Sequence, residues 1–221
     1  MRDIALSSPQ SDSQSETETP RLNRRQAAKV RTRQKVLEAA RQLFAERGYE
    51  PATIRDIAKG AGMSTGAVFA NFQDKAELFE AVLASDMVKL AETMKAAAAA
   101  GGSTRVRLLS ALDAGYHGSL EQLPLVQAVI ARSWFLPVAA EMRTRDAITP
   151  ILSVVTDTLQ AGVGEGELRQ DADVRLLGEL IYDAFLSNYR RAAYDGWTTA
   201  QLSGRMGKQI DVILAGAISR Q

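Results

Sequence analysis

Residues 53–72 read TIRDIAKGAGMSTGAVFANF, and this stretch decides the fold. Thr53 stands where a helix N-cap is expected, and Asp56 follows three residues later to complete the capping pattern. Ile54, Ile57, Ala58 and Ala61 then recur at the spacing of one helical face. Gly62 supplies a positive φ for a tight turn, and Ser64 caps a second short helix. A small residue at Ala58 lets two helices cross closely, and the branched Val68 wedges their angle. Such a unit reads as a plain helical hairpin with a glycine turn or as a helix-turn-helix. In the second reading the latter helix enters a DNA major groove.

Charge around this stretch favours the second reading. The whole chain of 221 residues carries a net charge of only +1. Its residues 21–75, however, hold 12 Lys and Arg against 5 Asp and Glu. Residues 1–20 and 76–221 are each net acidic. A basic block between acidic segments is the footprint expected for a polyanion partner. Arg21, Arg24, Arg25, Lys29, Arg31, Arg33 and Lys35 gather at the start of the first helix, where positive charge opposes the macrodipole. Such a cluster meets a polyanion or is simply a solvated helix start.

Further out, the pattern is helical throughout. Val36, Leu37, Ala40, Leu43 and Phe44 form one apolar stripe, ended by Gly48 and Pro51. Helices are expected over 75–100, 104–117, 120–135, 138–163 (bent near Pro150), 171–194 and 198–219. Neither an alternating strand pattern nor a repeat stands out. The predicted fold class is all-α: a three-helix DNA-binding domain followed by a larger helical domain. Residues 1–23, rich in Ser, Thr, Gln and acids, are expected to be a disordered tail. Domain boundaries are placed at 24–90 and 91–221, with the helix-turn-helix at 53–72.

Composition narrows the function classes. Cysteine is absent and histidine occurs once, at His117, so thiol chemistry and a metal centre are not expected. No cofactor is called for. The loose glycine pattern at Gly162, Gly164 and Gly166 follows no strand and carries Glu165 and Glu167, which repel phosphate. With no evident acid/base pair, a catalytic role is not expected. No apolar run is long enough to span a membrane and the first residues lack a signal peptide, so a cytoplasmic protein is expected.

Residues 30–90 resemble the DNA-binding domain of the TetR family of transcriptional regulators. The resemblance rests on Leu43-Phe44, Gly48, Thr53, Ile57-Ala58, Ala61-Gly62, Ser64, Gly66, Phe72, Lys75 and Leu78-Phe79, in order and without gaps. It implies a sequence-specific regulator, a repressor that binds a palindromic operator as a homodimer and is released by a small, mostly apolar effector. Activation, or architectural DNA binding without an effector, is the alternative. Implied DNA contacts are Arg31, Arg33, Thr53, Ser64, Thr65, Gly66, Ala67, Phe69, Asn71 and Lys75. Thr53 and Ser64 suit phosphate oxygens, Gly66 and Ala67 permit close approach, and Thr65 and Asn71 can address base edges. Lys75 looks like the family's phosphate-clamping lysine. Phe69 replaces the family's usual tyrosine and is expected to pack.

Apolar residues over 174–189 are too many for one face, and Met206, Ile210, Ile213, Leu214, Ala217 and Ile218 form a seam near heptad spacing. The resemblance implies a homodimer through the helices near 171–194 and 198–219. Tyr116, His117, Arg132, Trp134, Tyr182 and Asn188 are polar or amphipathic groups within apolar helices. They are the candidates to line an effector cavity.

Overall fold

The computed structural model describes residues 24–219; the expected tail over 1–23 lies outside the described residues. Nine helices occur among them: α1 (Arg24–Arg47), α2 (Ile54–Gly60), α3 (Thr65–Phe69), α4 (Lys75–Ala98), α5 (Thr104–Leu120), α6 (Leu123–Ser133), α7 (Val138–Gly164), α8 (Val174–Asp195) and α9 (Thr199–Leu214). The described residues contain no strand, only an isolated bridge between Leu168 and Ile218. The fold is all-α, as the sequence predicts.

Local chemistry explains most helix starts. Side-chain oxygens of Thr53, Ser64, Asp74, Ser103 and Asp173 each accept the backbone N–H three residues on. Each bond satisfies one orphan donor of the first turn. Thr198 and Gln201 form a full reciprocal capping box on α9. Gly196 ends α8 in the left-handed conformation, with φ of 66°. Two expectations are corrected. The last helix stops at Leu214 instead of 219, because residues 217–219 pair with the 167–169 segment: Arg169 N–H donates to Ala217 O and Ser219 N–H to Glu167 O. Helix α5 continues to Leu120, past Gly118.

Side chains pack into two cores. The first gathers Val36, Ala40 and Phe44 of α1, Ile57 and Ala58 of α2, Val68 of α3, Phe72, and Leu78, Phe79 and Val82 of α4. The second holds Met94 of α4, Leu108, Leu112 and Tyr116 of α5, Val155 and Leu159 of α7, Ile181 and Phe185 of α8, and Leu202, Met206 and Ile210 of α9. Helix α4 serves both, its first turns in one core and its last in the other. Leu125 of α6 is the one body residue buried in the first core, so α6 abuts α1 as well.

Candidate DNA-binding surface and ligand cavity

The helix-turn-helix is built from the bottom up by its buried residues. Ile57, Ala58 and Val68 are at most 2% exposed, which fixes α3 against α2. Gly62, at φ of 66°, makes the turn between them. Ser64, Thr65, Gly66, Phe69 and Ala70 consequently face outward. A Cβ built at Gly66 meets only Ser64 Oγ, at 3.8 Å, so the residue lies open to an approaching surface. Against the expectation that it packs, Phe69 is 55% exposed, because Val68 on α3 and Phe72 just after it take the inward positions.

Three residues expected to reach DNA turn inward. Lys75 Nζ donates to the carbonyls of Tyr49, Glu50 and Ala52 at 3.0, 3.2 and 3.1 Å, engaging all three ammonium protons. Arg33 donates to the Asn71 carbonyl at 2.9 Å and lies over the Phe72 ring. The Asn71 amide donates to Ala67 O, and its Oδ1 is buried without a partner. These three brace the ends of α3 and the loop before α2. The Thr53 hydroxyl is engaged with Asp56 yet stays exposed, as does Arg31. Sequence reasoning missed Arg55 and Lys59, which are exposed on α2 beside this surface. Their position within the basic block was the available signal.

Behind this unit lies a cavity of about 290 Å³. Its walls are Leu83, Met87 and Leu90 of α4, Val126, Val129 and Ile130 of α6, Ile148 and Ile151 of α7, and Tyr182, Phe185, Leu186 and Tyr189 of α8. Polar groups enter at few points, chiefly Arg41, Asp86, Ser119 and Gln122. Arg41 of α1 donates through Nε to Asp86 Oδ1 of α4 at 2.6 Å and also pairs with Glu38. Asp86 Oδ2 is buried with no partner. Burial holds the Asp86 carboxyl above its ordinary range, although Arg41 pulls the other way.

Similarity to known proteins follows this architecture. The family pattern for bacterial regulatory proteins of the tetR family matches residues 36–82. The transcriptional repressor AcnR of Corynebacterium glutamicum is 30% identical over 173 residues, 73% of this chain and 84% of that protein. This chain belongs to the TetR family of transcriptional regulators. AcnR of Corynebacterium efficiens is 48% identical over 65 residues, which is 29% of this chain and only 35% of that protein. The repressor KstR2 of Mycobacterium tuberculosis is 29% identical over 201 residues, 89% of this chain and 98% of that protein. The solved structure of FadR from Bacillus subtilis in complex with stearoyl-CoA shares the fold, with a TM-score of 0.71 at 17% identity. It covers 83% of this chain and 98% of its own.

Within this TetR-family body the six candidate effector residues scatter. Tyr182 lines the cavity. Tyr116 and Asn188 sit in the second core instead: Asn188 Nδ2 donates to Tyr116 Oη at 3.0 Å and to Gln209, and its Oδ1 accepts from Arg205. Burial pushes the Tyr116 and Tyr182 phenols well above their ordinary value. Arg132 stacks on the Tyr49 ring at 3.8 Å, in the first core's aromatic cluster. His117 is exposed beside Asp113, and Trp134 is 83% exposed. The cavity residues that sequence reasoning missed, Arg41 and Asp86 above all, stand far apart in the chain and carry no local motif.

Among the described residues, large apolar side chains stay exposed on α8 and α9, as they do at Trp134, Phe135, Val138 and Met142 around the start of α7. Leu176, Leu180 and Tyr194 of α8 and Val212 of α9 are exposed at 51, 45, 77 and 76%. The seam expected at Met206, Ile210, Ile213, Leu214, Ala217 and Ile218 turns into the second core instead, except Ile218, which is exposed. None of the described helices is long and apolar enough to cross a membrane.

Proposed function

We propose that this regulator is a cytoplasmic, ligand-released repressor that binds a palindromic operator as a homodimer, with a regulatory and not a catalytic role. The observation that carries the reading is α4. Its first turns pack in the core that holds α2 and α3, and its middle walls the cavity. A ligand that alters the set of α4 therefore shifts the surface that meets DNA, which is what coupling between two sites requires. The DNA-binding domain is 24–90 and the effector and dimer domain 91–221, with Arg41 and the middle of α4 completing the cavity from the first. Arg31, Thr53, Ser64, Thr65, Gly66, Ala67 and Phe69 form the contact surface, while Arg33, Asn71 and Lys75 act by holding it.

The repressor names of AcnR and KstR2 support this direction of control, and the stearoyl-CoA complex of FadR supports an effector with a large apolar part. Pairing of α8 and α9 with a second copy covers the exposed leucine face and presents two α3 helices to two half-sites. The test is footprinting of the full chain on fragments that include its own promoter. The expected result is protection of an inverted repeat whose half-sites lie about one helical turn apart, or a multiple of it. Uniform coverage without a preferred site would make it an architectural binder.

A further inference from the structure

The ion pair between α1 and α4 leaves one chemical need unmet in the cavity wall. Each guanidinium nitrogen of Arg41 already has a partner: Nε serves Asp86, Nη1 serves Glu38 and, at 3.4 Å, Nη2 serves Ser85. Lys89, at the cavity rim, is exposed to water. The formal charges of Arg41 and Lys89 cancel those of Asp86 and Glu38, so net attraction does not choose the ligand. Hydrogen bonding does. Asp86 is among the residues around the cavity, and its Oδ2 is buried without a donor, whereas buried polar groups are normally satisfied. The remaining wall is largely apolar, and Tyr182 is part of it.

Resting on the effector-cavity reading, we infer that the cavity takes an apolar molecule with a hydrogen-bond-donating head, best a primary amine, received by Asp86 Oδ2. A carboxylate-headed molecule brings a like charge to that oxygen and is disfavoured. The same carboxylate is the latch between α1 and α4, through Oδ1. An ammonium head and the Arg41 guanidinium are then two cations on one carboxylate, and their mutual repulsion couples ligand binding to the latch on the DNA-binding unit.

The experiment uses the full chain and three probes of equal chain length: decylamine, decanol and decanoic acid, titrated calorimetrically at neutral pH. Decylamine is expected to bind roughly tenfold tighter than decanoic acid, the scale of one charge-assisted hydrogen bond. Asp86→Asn should abolish that preference. Arg41→Gln should act in the opposite direction and raise decylamine affinity, so the answer survives if one variant folds poorly. Leu90→Trp, which fills the space, should abolish binding of all three. If all probes bind equally, or decanoic acid binds best, while Leu90→Trp still blocks them, the headgroup inference falls and the effector cavity stands. Binding that survives Leu90→Trp, or no binding of any probe, overturns both.

Discussion

Lys75 Nζ lies 3.0 Å from the Tyr49 carbonyl and 4.1 Å from the centre of the Tyr49 ring. One side chain at the start of α4 thereby closes the loop between α1 and α2, and it does so by long-range bonds to Tyr49, Glu50 and Ala52. Lys75→Ala leaves three carbonyls without their donor. Its expected cost is about 1–3 kcal/mol of unfolding free energy, read from urea denaturation. Unchanged stability, with a lowered salt slope of DNA binding, would return Lys75 to the phosphate backbone.

Gly66 provides the converse case. Because a Cβ there has open space, Gly66→Asp should leave circular dichroism and thermal unfolding nearly unchanged. It should nevertheless abolish specific DNA binding, since a carboxylate would stand where the chain approaches phosphate. Retained operator binding in a gel-shift titration would remove α3 from the interface.

Val212 and Ile213 are neighbours with opposite roles. Val212→Asp, on the open face, should convert a dimer to a folded monomer in sedimentation velocity. Ile213→Glu puts its charge against the second core instead, and the expected loss of chain stability is about 2 kcal/mol or more. If Val212→Asp remains dimeric, the exposed side of α9 is not part of the interface.

Trp134→Ala is expected to change neither ligand response nor folding, with stability within about 0.5 kcal/mol of the parent. The indole is 83% exposed and lies off the cavity wall. A lost ligand response in thermal-shift assays would show that the α6–α7 connection closes over the ligand.

Glu167 makes stability depend on acid. Its carboxylate accepts the Thr104 backbone N–H at 2.7 Å, and that bond lowers its pKa. The stability this contributes is fully present above the ordinary glutamate value of about 4.3 and is lost as pH falls through the lower folded value. Asp86 has the opposite sign, because its folded pKa is raised. Comparison with Glu167→Gln isolates the first effect: the variant should lose less stability than the parent between about pH 7 and about pH 3. Parallel pH profiles would contradict it.

By itself the sequence determined what short-range chemistry encodes. The caps at Thr53 and Ser64, the turn at Gly62 and the inward set Ile57, Ala58 and Val68 all act within a few residues of one another, so spacing disclosed the helical pair, the basic block favoured helix-turn-helix, and the resemblance named the family. Only the tertiary structure decided which way the longer polar side chains point. Arg33 finds its carbonyl 38 residues away, Lys75 reaches back 26 to Tyr49, and Arg41 meets Asp86 across 45. The cavity is likewise shared by α4, α6, α7 and α8, whose apolar stripes look alike in sequence whether they face a filled core or an open space. A flexible side chain takes the partner that folding brings near, and helical periodicity records the face it leaves from but not the group it meets.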